Sequence, residues 1–170
     1  MENTLNETSK LFSQLSTFLG IAFKDVQAKV AIINANKSMS PQIGSFVAFI
    51  RMEMQQGIHK YNGDNNDKLK APANFKKYVS TARSLLRMMW LMTFVKVFFT
   101  DAITSKSDKL APMLDHAYDE AFGEKHSWII RNGAKLAIKA APGKPYLVEA
   151  FLGKNDEALF HKTVQELLSY

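Results

Sequence analysis

Cysteine is absent from the 170 residues, which excludes disulfides and thiolate chemistry and suits a reducing compartment. Long hydrophobic runs are missing too: no uncharged apolar stretch approaches the length of a bilayer span. The opening MENTLNETSK is polar and unlike a secretory signal, so the expectation is a soluble protein of the cytoplasm, peripheral on membranes at most. Metal spacing is also lacking. The histidines His59, His116, His126 and His161 form no H-E-x-x-H pair, and no Ser stands in a nucleophile motif. The adjacent carboxylates Asp119–Glu120 and Asp156–Glu157 point to different helix faces and read as solvated. Nothing in the residues supports catalysis, a cofactor or a metal.

What is present is a core-building composition: 46% hydrophobic residues, with 12 Phe and 8 Met. This length fits one domain over residues 1–170. The net charge of +6 points to an anionic partner. Lysines are scattered and no nucleic-acid motif appears, so lipid headgroups at a membrane surface are expected rather than nucleic acid. Hydrophobic periodicity is helical nearly throughout. It predicts helices over 8–18 and 20–36, the second turning Ile21, Val26, Val30 and Ile33 inward. Another runs from 40 to 57, with Ser40 as cap, Pro41 in the first turn and Gly57 at the close. A polar loop at 61–72 precedes helices near 74–103, 108–122, 124–141, 145–152 and 155–168. The class is all-α.

Three constellations stand out. RSLLRMMWLMTFVKVFF (83–99) becomes apolar on nearly every face, yet Arg83 and Arg87 stack one turn apart, where like charges repel. That face is either a solvated stripe with Lys76 and Ser80 or the seat of a dianion. Asp25 and Lys29 are i,i+4 on a mostly apolar helix, the spacing of an ordinary surface salt bridge. His126 and Trp128 stand at a helix start, as a capping histidine and a core tryptophan would.

The residues carrying these constellations also carry a resemblance. AYDEAFGEKHSWIIRNGAKLAIKAAPGK (117–144) resembles the signature of the glycolipid transfer protein superfamily, A-Y-x-x-A, then H-x-W, then A-A-P. KDVQAK resembles its Asp-x-x-x-(Asn/Lys) headgroup motif, and residues 83–99 resemble its central recognition helix. Order and separations fit over about residues 10–168, although the chain looks short before Asp25.

The resemblance implies a two-layer all-α fold with an apolar lipid pocket between the layers and a sphingolipid headgroup held at the surface. Sugar-binding members carry Trp, Asn and Lys where this chain has Arg87, Lys29 and Ile32. Asp25, Lys29, Arg83, Arg87 and His126 instead match the pattern of the ceramide-1-phosphate branch, which includes the plant accelerated-cell-death members. By that resemblance Lys29, Arg83 and Arg87 hold a phosphate, and Asp25 and His126 read the ceramide amide. Trp128 docks on the membrane, with Lys135, Lys139 and Lys144 near anionic headgroups. Phe and Met suit a collapsible pocket as well as a core. The implied protein is a monomeric, non-enzymatic carrier. A glycolipid carrier of the same fold and a lipid-sensing or helical interaction module are the alternatives.

Overall fold

The computed structural model describes residues 17–60 and 78–169, with side chains from residue 24 onward in the first stretch. The described residues hold seven helices and no strand: α1 Thr17–Met39, α2 Phe46–Gln55, α3 Thr81–Thr104, α4 Leu110–Phe122, α5 Trp128–Lys139, α6 Lys144–Leu152 and α7 Glu157–Leu168. The all-α class follows. Residues 8–16 of the first expected helix, the loop at 61–72 and the inward turn of Ile21 lie outside the described residues. The expected break between residues 18 and 20 is corrected: α1 runs unbroken through Gly20, since a single glycine inside a helix costs only about 1 kcal/mol.

Residues 25–89 form one compact unit and residues 90–170, with 1–24, a second. In the first unit, Val26 and Ile33 of α1 are buried and Val30 is half-buried, as their spacing predicts. Ser40 and Pro41 do not open a helix. They form a turn closed by the Ile43 amide on the Ser40 carbonyl at 3.0 Å, because a residue before proline is pushed out of the α region and α1 must end there. Ser45 is the actual cap of α2: its backbone is extended and its hydroxyl accepts from the Ala48 amide at 3.2 Å. The helix starts where Phe49 and Glu53, four apart, share a buried face. Gly57 closes it at φ +68, a conformation that favours glycine.

In the second unit, α3 buries Phe94, Phe98, Phe99 and Ala102. Phe99, Phe151 and Phe160 meet with centroids 5.5–6.4 Å apart and join α3, α6 and α7. The Lys144 amide donates to the Asp108 carbonyl at 2.7 Å, and Gly143 pairs with Lys109, so the A-A-P-G turn is stitched to the start of α4. Asp156 caps α7 through the Leu159 amide at 2.9 Å.

Candidate functional site

In residues 25–89, α1 pairs Lys29 Nζ with Asp25 Oδ1 at 3.0 Å. The partners differ in exposure: the Asp25 side chain is 55% exposed and that of Lys29 only 12%. A surface pair would leave both ends in water. Here the cation is largely covered by protein and its acceptor is the open carboxylate, so Lys29 depends on Asp25 more than an exposed lysine would.

Arg83 and Arg87 lie in the first two turns of α3, both half-buried. Arg83 Nη1 donates to the Lys60 carbonyl at 2.9 Å. The turn beneath them is fully satisfied. A helix start leaves amides without partners, and the ones here go to two side chains and one carbonyl. Thr81 and Ala82 donate to the two oxygens of Glu53 at 2.6 and 2.9 Å, Arg83 donates to Ser80 Oγ at 3.1 Å, and Ser84 reaches the Ser80 carbonyl at 3.0 Å. Glu53 is fully buried and also accepts from the hydroxyls of Tyr78 and Ser80, each at 2.6 Å. Burial, with the Glu53 carboxylate beside it, pushes the Tyr78 phenol far up, so it keeps its proton and donates. The expected helix start at 74 is therefore corrected. Residues 74–77 lie outside the described residues, and α3 begins at Thr81, where Glu53 reaches over from α2 to cap it.

A second tie joins α1 to this start. The buried Asn36 amide donates to the Val79 carbonyl at 3.0 Å and to Thr81 Oγ1 at 2.9 Å. Lys29 lies seven residues before Asn36 and Arg87 six after Thr81, so each stands about 10 Å along its own helix from the tie. Glu53 and Asn36 carry no motif. Their only trace in the sequence is a polar residue on an otherwise apolar helical face.

His126 belongs to the other unit, in the turn before α5. Its ring stacks on Phe122, centroids 5.1 Å apart and 8° from parallel, and Nδ1 lies 2.7 Å from the Tyr118 hydroxyl. Tyr118 is fully buried, and burial raises its pKa against the opposing charge of Arg131. His126 is thus clamped by α4; the extended N-cap of α5 is Ser127. Trp128 is 76% exposed and Ile129 75%, which overturns the core-tryptophan alternative. The lysines near it divide. Lys135 pairs with Asp119 at 2.8 Å and Asp115 at 3.3 Å, and Lys144 Nζ is buried against Glu157 at 2.6 Å. Lys144 is a structural cation rather than a surface one; Lys139 is exposed.

A family model for glycolipid transfer proteins matches residues 3–153, across both units. The chain is similar to the ceramide-1-phosphate transfer protein of Rattus norvegicus, 25% identical over 91% of this chain and 67% of that one. It is similar to accelerated cell death 11 of Arabidopsis thaliana, 28% identical over 87% of this chain and 64% of the other. It thus spans about two thirds of the length of these relatives. The crystal structure of mouse ceramide-1-phosphate transfer protein superposes with a TM-score of 0.75 at 21% identity, covering 95% of this chain and 73% of that one, which shows the fold.

Proposed function

The chain belongs to the glycolipid transfer protein family, and from that premise we propose that it is a non-enzymatic carrier moving ceramide-1-phosphate-like sphingolipids between membranes. The curated relatives named for ceramide-1-phosphate transfer support the reading. The observation that carries it is the pair of half-buried arginines one turn apart on α3, in the unit that also holds the covered Lys29. A phosphate monoester carries about −1.5 to −2 charges and three acceptor oxygens, which resolves the repulsion between stacked cations. Arg supplies planar forked donors and Lys a point charge. A hexose has no charge to offset them.

In this proposal Lys29, Arg83 and Arg87 hold the phosphate. The open Asp25 carboxylate accepts from the ceramide amide N–H and adjacent hydroxyl, and a ring N–H of His126 donates to the amide carbonyl. The hydrocarbon chains are buried in an apolar pocket among the helices, each methylene contributing roughly 0.8 kcal/mol. The protein acts as a single domain and a monomer in the cytoplasm, touching membranes transiently through Trp128.

The glycolipid alternative turns on Trp90, one turn beyond Arg87, as a platform for a sugar. Lys125 Nζ sits over that ring at 5.6 Å, which disfavours it as an open stacking surface. The test is transfer of labelled ceramide-1-phosphate against galactosylceramide between phosphatidylcholine vesicles. Preference for the phosphate lipid supports the proposal, preference for the glycolipid selects the alternative, and transfer of neither leaves a sensing or interaction module.

A further inference from the structure

Glu53 lies outside the headgroup cluster, and no motif marks it. It is a fully buried carboxylate that accepts from two hydroxyls and two backbone amides within 2.9 Å. Such a set matches an acceptor-only carboxylate at a helix N-terminus, where both the amides and the dipole favour negative charge. Its own carbonyl accepts the Ile58 amide at 2.9 Å, which fixes the segment after α2. Ser80 Oγ shares its one proton between Glu53 at 2.6 Å and the His59 carbonyl at 2.9 Å, and accepts from the Arg83 amide. Next along that segment, the Lys60 carbonyl receives the Arg83 guanidinium.

We infer that Glu53 is a positioning residue for Arg83: it locks both the helical turn that carries the Arg83 backbone and the strand of chain whose Lys60 carbonyl aims its guanidinium. The inference rests on the phosphate-site reading above. Arg83 is held at both ends by one hydrogen-bonded knot whose centre is this carboxylate. Without it, the turn bearing Arg83 loses the acceptors of its first two amides, and the Lys60 carbonyl loses its register against α3.

The experiment is a double-mutant cycle. Parent, Glu53→Gln, Arg83→Leu and the double variant are compared in transfer of labelled ceramide-1-phosphate between phosphatidylcholine vesicles, below the melting temperature of all four. Glutamine keeps the size but turns an N–H₂ toward the amides. Transfer by Glu53→Gln is expected to fall about tenfold, the lower end of what losing a supporting partner does at pre-organised sites. The double variant should be no slower than Arg83→Leu alone, because both changes act through one side chain. An equal further loss in the Arg83→Leu background would make Glu53 a merely structural cap and overturn the inference, as would parent-like transfer by Glu53→Gln. Parent-like transfer by Arg83→Leu would instead remove the phosphate-site reading itself, whatever Glu53 does. Should Glu53→Gln fail to fold, Ser80→Ala deletes only the bridging hydroxyl and is judged on the same cycle by the same criteria.

Discussion

Lys29 shows how surroundings change what spacing alone means. Four residues after Asp25 it is an everyday helical ion pair, worth about 0.3–0.5 kcal/mol when exposed. With its own side chain mostly covered and that of Asp25 open, it becomes a cation held in place beside an available carboxylate. Arg87→Leu and Lys29→Ala are each expected to cut phosphosphingolipid transfer by about tenfold or more, since a charged hydrogen bond contributes about 1.5–3 kcal/mol. Melting temperature should hold in Arg87→Leu, which removes the repulsion from Arg83 one turn away, and fall only slightly in Lys29→Ala, which leaves the open Asp25 carboxylate unpaired. Parent-like transfer by both variants, measured between phosphatidylcholine vesicles, would remove them from the site. The five candidate positions are legible only as a motif, through the resemblance that carries them. Glu53 and Asn36 are not legible at all. Their roles depend on which backbone amides and carbonyls the fold brings to them, and a single polar residue on an apolar face does not encode that.

At the scale of elements, the helical period located every described helix, and the errors gather at the boundaries: a break expected near residue 19 lies inside α1, and two starts fall later than expected. Ser40 and Ser45 are equally good caps by composition; Pro41 and the buried spacing of Phe49 and Glu53 decide between them. For α3 the cap arrives from another helix, beyond the reach of local patterning. The α6–α7 pair offers a pH test. Glu157 accepts from buried Lys144 at 2.6 Å, which lowers its pKa. A carboxyl whose folded pKa is depressed contributes stability above its ordinary range near 4.3 and loses it as pH falls through the lower folded value. Glu157→Gln should therefore melt below the parent at neutral pH, and the gap should close below about pH 4. A gap independent of pH would mean that the pair contributes nothing through ionisation. On α5, exposed Trp128 predicts a different signature from a core indole. In a Trp90→Phe background its fluorescence should start red and shift blue on adding vesicles, and Trp128→Ala should lower adsorption and transfer together without the loss of roughly 3–5 kcal/mol that a core truncation brings. An unshifted spectrum would leave the exposed face without a membrane role.

For the whole molecule, a charge of +6 and the exposed side chains of Trp128, Ile129 and Ile130 would make separable contributions to the proposed contact with a membrane. The charge acts at range and is screened, over about 10 Å at 0.1 M salt and 3 Å at 1 M. Contact by Trp128, Ile129 and Ile130 is short-ranged and is not weakened by screening. The lysines near Trp128 add less to the long-range part than their number suggests, because Lys135 and Lys144 are already paired within the protein. Adsorption to phosphatidylserine-containing vesicles should therefore fall as salt rises but level off above zero. The adsorption left at 1 M should vanish in Trp128→Ala and persist in Arg87→Leu, since in the proposed function Arg87 binds the carried lipid rather than the membrane surface. Co-sedimentation across a salt series measures both parts at once. Complete loss of adsorption at high salt in the parent would assign docking to charge alone, and a salt-independent curve would assign it to the apolar cluster alone.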